Sequence, residues 1–304
     1  MPSPRSSRLL RIAVSLAVLV ALALAVDPGA LADAVRAVRR GPLLAAAALV
    51  PPFVLLRAMR WRALLDAATA GAAPGVLSML RLTVMGTALN LLLPAGAGDV
   101  LKAWYASEGG IDGESAFATA LYDKLLALAM LFPLGGAAAA YRGDGASLAA
   151  CLVASAICWV LVLRPGLLPW GPMGALVRPL VGRRLDKAQL ALAARPPLPV
   201  LLRAASLALA AWVVAASILG LLVVAVSPES PWLIGLLAYP YLMVGALFPL
   251  TLGGLGSAEA AAVMALARWD VVAAAALVAV VLWRALLHLG PAAVGALFLL
   301  GERR

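Results

Sequence analysis

The residues of this sequence that could do chemistry are a few charged side chains inside otherwise apolar segments. Asp99 and Lys102 are three residues apart, which places them on one face of a helix. Asp123 and Lys124 fall inside the next apolar segment. In a bilayer, each central charge costs about 2.5–3.5 kcal/mol on insertion scales. Such side chains are therefore expected to pair and to face a polar cavity.

A second group of polar residues lies nearer the C-terminus, where Glu259, Arg284 and His288 are surrounded by apolar residues. Arg284 and His288 are four residues apart and share a helix face. Arg81 and His288 are secondary candidates for the same cavity. The predicted cavity charges are four cations and three acids, namely Arg81, Lys102, Lys124 and Arg284 with Asp99, Asp123 and Glu259. The balance of one positive charge favours an anion, such as a phosphate-bearing headgroup.

Each of these residues also has a structural interpretation. Asp99 is a suitable N-cap for a helix, and Glu259 is favourably placed for the first turn of one. Basic side chains inside apolar segments can extend to the membrane interface. The second helix is predicted to end near Arg57, where we interpret Arg57, Arg60, Trp61 and Arg62 as an interface anchor. Contact of the first three with a lipid headgroup is the alternative.

Proline and glycine interrupt the two segments that hold these charges. Residues 90–99 read Asn-Leu-Leu-Leu-Pro-Ala-Gly-Ala-Gly-Asp, and residues 249–259 read Pro-Leu-Thr-Leu-Gly-Gly-Leu-Gly-Ser-Ala-Glu. Proline removes a helix donor and glycine permits a sharp reversal. We therefore predict two re-entrant hairpins, near 90–107 and near 247–267, in two inverted-topology repeats. Kinks in ordinary helices, or close helix packing, are the simpler alternative.

The elements that position these residues must be membrane-spanning helices. Of 304 residues, 64% are hydrophobic and only 12% are charged, whereas soluble domains contain about 25% charged residues. At about 20 apolar residues per crossing, we predict an all-α polytopic integral membrane protein with about six full crossings plus two re-entrant broken-helix hairpins. This composition leaves almost no room for a soluble catalytic domain. Basic loops account for the net charge of +10, so no nucleic acid partner is predicted.

The predicted organisation is two transmembrane halves, residues 1–163 and 204–304, joined by a Pro-rich linker over residues 164–203. The linker holds seven basic residues and one acid, which predicts a cytoplasmic position. Both termini then lie in the cytoplasm of a multi-pass protein of the inner (plasma) membrane. The linker is also expected to hold an anionic lipid surface.

Cofactor and metal motifs are absent from the sequence. His288 is the only histidine, and Cys151 and Cys158 are seven residues apart, without CxxC spacing. No Walker motif is present. We therefore predict no cofactor, no metal ligand and no catalytic residue, and we interpret the protein as a non-enzyme.

The interrupted segments also carry a family resemblance. Residues 90–102 resemble the pattern Asn, then Pro-Gly-x-x-Gly-Glu, then Arg of the flippase-like membrane domain of lysylphosphatidylglycerol synthase/multiple peptide resistance factor proteins. Asp123-Lys124 is similar to the Glu-Arg of that family. The most specific motif is 253–259, Gly-Gly-Leu-Gly-Ser-Ala-Glu, with Trp283-Arg284 after it, which is similar to the family's Gly-Gly-x-Gly-x-x-Glu and Tyr-Arg.

The resemblance covers nearly the whole chain and implies a function. It implies movement of an anionic phospholipid, or of a lipid-linked molecule of the polyprenyl-phosphate type, between leaflets through a central polar cavity. The implied substrate-binding residues are Asn90, Asp99, Lys102, Asp123, Lys124, Gly254, Gly256, Glu259 and Arg284. Lysine replaces the family's arginine at 102 and 124, and lysine cannot make a planar two-point contact with phosphate. A different headgroup geometry is therefore expected.

Two other classes of function stay open at this point. The acids could serve an intramembrane enzyme that acts on a lipid or glycolipid. Alternatively, the protein could be an accessory subunit whose partner is a lipid-modifying enzyme. The resemblance does not assign lysyl transfer to this chain, because the aminoacyl-transfer domain of the fused synthases is not part of it.

Overall fold

The computed structural model describes residues 13–18, 20–22, 24, 26–92, 98–167, 195–246 and 254–301. Every regular element within these ranges is a helix, which confirms the predicted all-α class. The helices are α1 (Ala13–Leu22), α2 (Pro28–Arg36), α3 (Arg40–Ala48), α4 (Val50–Ala68), α5 (Val76–Leu92), α6 (Gly98–Glu108), α7 (Gly113–Tyr141), α8 (Gly145–Leu163), α9 (Leu198–Val226), α10 (Leu233–Ala246), α11 (Ser257–Ala267), α12 (Ala273–Arg284) and α13 (Gly290–Gly301). A 3-10 turn follows α8 at Pro165–Leu167, and a π-helical turn, Ala285–Leu289, joins α12 to α13.

Among the described residues, five helical segments are long and apolar enough to cross a membrane. They are Arg40–Ala68, Gly113–Tyr141, Gly145–Leu163, Leu198–Val226 and Ala273–Gly301. Each holds 19 or 29 residues, which meets the length of about 20 that a bilayer crossing needs. The protein is therefore a polytopic membrane protein. Shorter apolar helices, among them α5, α10 and α11, lie between these segments.

The predicted hairpins, linker and halves include residues outside the described ranges. Positions 93–97 and 247–253, at the two predicted reversals, lie outside the described residues. So do positions 168–194 of the predicted linker. The inverted repeat, the re-entrant hairpins and the division at the linker therefore stay predictions.

The described residues form two compact units that interleave along the sequence. The first, here called the central unit, comprises Val54–Gly86 and Asp99–Trp212. The second, here called the terminal unit, takes its described residues from Met1–Phe53, Thr87–Gly98 and Val213–Arg304.

In the central unit, α4 is the element around which the apolar core is built. Trp61 and Leu65 are fully buried against small residues of α6 and α7, such as Ala103 and Ala116. The Trp61 indole N–H donates a hydrogen bond of 3.2 Å to Thr119 Oγ1, which fixes α4 against α7. Small side chains on the facing helices let large aromatic and aliphatic groups fill the space between them. This packing holds three helices close enough for their charged side chains to meet.

In the terminal unit, glycines allow helices to approach closely. A Cβ on Gly245 of α10 would lie 2.6 Å from Ala261 Cβ in α11. Likewise, a Cβ on Gly220 of α9 would lie 2.1 Å from the carbonyl oxygen of Trp232. Neither position can accept a larger residue without movement of the backbone. Glycine thus serves close helix packing at these two positions.

The second predicted helix requires a correction. Its predicted end at Arg57 is wrong, because α4 continues for eleven more residues to Ala68. The interface-anchor interpretation of Arg60 is also wrong, since this residue is 5% exposed. The helix continues because Ala63, Leu64 and Leu65 keep an apolar pattern beyond the arginines.

Candidate functional site

A cluster of six charged side chains occupies the interior of the central unit. Three helices supply two residues each: Arg57 and Arg60 from α4, Asp99 and Lys102 from α6, and Asp123 and Lys124 from α7. The pairs in α4 and α6 are three residues apart, so each pair lies on one helix face. We call this group the six-residue cluster. It brings together four of the predicted site residues and two that were assigned elsewhere.

Asp99 is the centre of the outer half of this cluster. Arg57 Nη2 donates to Asp99 Oδ1 at 2.9 Å, and Lys124 Nζ donates to Asp99 Oδ2 at 3.1 Å. The Lys124 side chain keeps 29% of its surface exposed, and that of Arg57 keeps 18%. These three residues are therefore the accessible part of the cluster, and we call them the outer triad.

Asp123 is the centre of the inner half. Arg60 Nε donates to Asp123 Oδ1 at 2.5 Å, and Lys102 Nζ donates to Asp123 Oδ2 at 3.2 Å. The Lys102 ammonium also lies 4.4 Å from the centre of the Trp61 ring, in a cation–π contact. All three charged side chains are at most 6% exposed. We call Arg60, Lys102 and Asp123 the inner triad.

The pairing crosses between helices. Each carboxylate accepts from the two helices to which it does not belong, so the cluster ties α4, α6 and α7 together. Among the described residues, the cluster holds four cations and two carboxylates, a formal excess of two positive charges, and the side chains of Arg57 and Lys124 are partly exposed. Burial of an uncompensated charge costs several kcal/mol. An anion that reaches the outer triad would reduce this cost, and ammonium and guanidinium donors suit phosphate oxygens.

The terminal unit holds a second, smaller polar network. Glu259 and Arg284 form a buried ion pair between α11 and α12. Glu259 Oε2 also accepts a hydrogen bond of 2.7 Å from the Gly256 N–H, and Arg284 Nη2 donates to the Gly254 carbonyl at 3.1 Å. Gly254 and Gly256 have φ of +73° and +89°, in the left-handed region that favours glycine. One acid and one cation thus hold the turn that precedes α11.

The structural alternative for Glu259 is present in this network. Its carboxylate satisfies a backbone N–H at the start of α11, the role expected of an acid in a first turn. The network is balanced in charge, with one acid and one base. It is therefore suited to fix the backbone and leaves no surplus charge for a ligand.

The remaining predicted residues lie in α5 and in the π-helical turn. Arg81 is half-buried in α5, and Asn90 is half-buried near the end of the same helix. His288 lies in the π-helical turn, where its ring centre is 4.9 Å from that of Trp283. Trp283 is buried and makes an edge contact with Tyr239, at 5.9 Å between ring centres. His288 thus packs against the Trp283 ring.

Arg57 and Arg60 are the members of the cluster for which the sequence interpretation preferred an interface anchor to headgroup contact. Their position beside Trp61 is typical of an interface anchor, which is why they were assigned to one. A second signal was present in the spacing, because Arg57, Arg60, Trp61 and Leu64 repeat at three- and four-residue intervals. This pattern places the arginines on the buried face of a continuing helix. Within the described residues, no group of three or more His, Cys, Asp or Glu could hold a metal ion.

The fold and these networks define a polytopic α-helical membrane protein with ionic side chains buried among its helices. The family model described as the lysylphosphatidylglycerol synthase TM region matches residues 8–295. The chain belongs to this family, as its motifs predicted. A search of curated proteins gives no significant match. Family membership indicates a lipid-related function in the membrane.

Proposed function

We propose that this protein is a flippase-like lipid transporter. It moves an anionic phospholipid, or a lipid-linked molecule of the polyprenyl-phosphate type, between the leaflets of the membrane. The headgroup enters a polar cavity while the acyl or prenyl chains stay in the bilayer. The observation that carries the proposal is the charge balance of the six-residue cluster, four cations to two carboxylates.

A bound anion accounts best for the excess of positive charge in the six-residue cluster. A purely structural cluster would be most stable with equal numbers of cations and acids, because each unpaired charge in a membrane protein's interior carries a desolvation cost. Here each carboxylate already has two cationic partners. A phosphate group that joins the cluster supplies the missing negative charge and leaves with the lipid.

In this proposal, the two triads have different roles. The inner triad is buried and holds α4, α6 and α7 together. The outer triad contacts the headgroup, since Lys124 and Arg57 keep the largest exposed fractions in the cluster. Asp99 is displaced from one of its two cations when the phosphate binds, and it takes that cation back when the lipid leaves. The exchange keeps the Asp99 carboxylate beside at least one cation throughout.

In the same proposal, the terminal unit has a supporting role, because it holds the backbone turn before α11 in one geometry. We propose that the two predicted hairpins, near 90–107 and near 247–267, are re-entrant and form inverted-topology repeats. Support for the second hairpin comes from the apolar helices α10 and α11, which hold 14 and 11 residues and are too short to cross a membrane alone. In this scheme the Glu259–Arg284 pair keeps the second reversal rigid.

We also propose the orientation and the surroundings of the protein. The basic residues of the linker support a plasma membrane protein with both termini and the linker in the cytoplasm. An anionic lipid surface then lies against the linker. The transporter acts without catalysis of its own, and a lipid-modifying enzyme is the natural partner to supply or consume its substrate.

The test is lipid translocation by purified protein in vesicles that contain a headgroup-labelled anionic phospholipid or a polyprenyl phosphate. Lys124→Met removes one charge of the outer triad and keeps the length of the side chain. We expect translocation to fall at least about tenfold, the effect of losing one charge-assisted contact of about 1.4 kcal/mol. Translocation by Lys124→Met at the unmodified rate for every lipid tested would contradict the proposal.

Arg36→Met is the matched control for this experiment. Arg36 also pairs with an aspartate, Asp33, but both side chains are more than three quarters exposed. Its loss removes a positive charge without a change in the buried cluster, so translocation should stay unchanged. The lipid recovered from the vesicles must also be chemically unaltered. A modified lipid would favour the intramembrane enzyme instead.

A further inference from the structure

A pocket in the central unit lies apart from the six-residue cluster. It has a volume of about 220 Å³ and lies between the C-terminal part of α4 and the beginning of α9. Its polar lining is Arg62, Asp66 and Arg203, and its apolar lining comes mainly from Met59, Ala63 and Val200. This volume is below the range of about 300–1,000 Å³ that is typical of small-molecule pockets, so the pocket fits a headgroup rather than a whole lipid.

The pocket and the cluster use different faces of α4. Arg62 and Asp66 are four residues apart and share a face, whereas Arg57 and Arg60 point to the acids of α6 and α7. Successive helical residues are separated by about 100°, so Arg62 is rotated by more than a quarter turn from both other arginines. One helix therefore serves two charged environments.

The charged side chains of the pocket are available to a ligand. Arg62 donates through Nε to the Pro74 carbonyl at 3.0 Å, which orients its guanidinium. Among the described residues, the side chains of Asp66 and Arg203 have no hydrogen-bond or ion-pair partner. Two cations and one acid leave a single positive charge. This contrasts with the cluster, where every carboxylate oxygen already has a cationic partner.

The pocket lies at the ends of membrane-crossing segments. Its α4 residues belong to the last ten residues of Arg40–Ala68, and Val200 and Arg203 belong to the first two turns of Leu198–Val226. Both segments have 29 residues, about nine more than a bilayer crossing requires. Their ends are therefore expected at the depth of the lipid headgroups, where basic side chains attract anionic lipids.

We propose that this pocket binds the headgroup of a membrane phospholipid that carries one negative charge and free hydroxyl groups. Arg62 and Arg203 bind the phosphodiester oxygens. Asp66 accepts a hydrogen bond from a headgroup hydroxyl, and Met59, Ala63 and Val200 contact the apolar start of the lipid. The site is separate from the transport site and does not depend on the transport proposal.

Native mass spectrometry of the full-length protein tests this assignment. The delipidated protein is incubated with phosphatidylglycerol, phosphatidylmethanol or phosphatidylethanolamine, and the bound lipid is counted. We expect phosphatidylglycerol to be retained best, Arg203→Ala to reduce its retention about tenfold, and Asp66→Ala to abolish the preference over phosphatidylmethanol, which has the same charge and no hydroxyl. Equal retention by Arg203→Ala and the unmodified protein overturns the proposal.

Two controls distinguish the pocket from a diffuse basic surface and from a site for free phosphate. Arg195→Ala removes an exposed cation three residues before α9 that does not line the pocket, so retention should be unchanged. If Arg195→Ala lowers retention as much as Arg203→Ala, a diffuse basic surface replaces the pocket. Excess inorganic phosphate is added to the lipid-free protein and, in a parallel sample, to the protein with phosphatidylglycerol bound. If phosphate alone raises the melting temperature of the unmodified protein but not of Arg203→Ala, and also displaces phosphatidylglycerol, the site binds free phosphate and the lipid assignment is overturned.

Discussion

The two buried polar networks of this protein differ in charge balance although both join neighbouring helices. The six-residue cluster of the central unit contains four cations and two acids. The network of the terminal unit contains one ion pair, Glu259–Arg284, and two backbone hydrogen bonds. Among the described residues, the first therefore has a formal excess of two positive charges, and the second is balanced.

The difference teaches how a membrane protein separates binding from support. A balanced pair that also satisfies backbone groups lowers the cost of an irregular turn inside the membrane. An unbalanced cluster raises the cost of the empty site and so favours the state with an anion bound. Four substitution experiments test this contrast.

Removal of the inner acid should have the largest effect on stability. Asp123→Leu leaves Arg60 and Lys102 buried without a carboxylate between them. Loss of one partner from a buried ion pair typically costs about 3–5 kcal/mol of unfolding free energy. We expect a loss of this size in equilibrium unfolding in detergent. Asp33→Leu, at an exposed pair, should cost less than about 1 kcal/mol.

Equal losses for the Asp123→Leu and Asp33→Leu variants would show that the inner triad does not hold the helices together. The unbalanced cluster would then be a surface-like group of weak pairs, and the distinction between the two networks would fail.

Removal of one cation should lower the free energy of unfolding by different amounts in the two networks. Arg284→Met leaves Glu259 buried with only a backbone partner, and we expect a loss of about 2–3 kcal/mol. Lys124→Met removes surplus charge, while Asp99 keeps Arg57 as its partner. We expect its stability to change by less than about 1 kcal/mol. The measurement is unfolding in detergent. Equal destabilisation by the two substitutions would contradict our assignment of an excess positive charge to the six-residue cluster.

Backbone geometry provides the next test. Gly256 has φ of +89°, and a Cβ there would lie 3.0 Å from Val18 Cβ and 3.1 Å from the Ser15 carbonyl oxygen. Gly143, in the central unit, has φ of +70° and open space around it. We expect Gly143→Ala to cost about 1 kcal/mol from backbone strain alone and Gly256→Ala about 2 kcal/mol, because contacts add to the strain. Unfolding measurements that give equal costs would contradict a tightly packed turn.

The sequence was sufficient to identify much of both networks but not their pairing. Asp99, Asp123 and Glu259 could be found because acids inside apolar segments are rare. The partner of each acid depends on how three helices pack, and spacing along one helix carries no such information. Asp99 and Lys102 share a face, yet Asp99 pairs with Arg57 and Lys124. The eleven residues of α4 beyond Arg57 were missed because a basic and aromatic group at a helix end has the same local pattern as one inside a helix.

The smallest expected effect concerns the geometry of the outer triad. Lys124→Arg keeps the charge and changes only the shape of the donor group, so stability should change by less than about 1 kcal/mol. Translocation should persist, because the charge balance that we assign to the headgroup is unaltered. Arginine offers a planar pair of donors, so the relative rates for phosphomonoester and phosphodiester lipids should shift by about twofold to tenfold. The measurement is a translocation assay with the two lipids in parallel vesicles. An unchanged ratio would show that Lys124 acts through charge alone, whereas loss of translocation would contradict the assignment of this position to the headgroup contact.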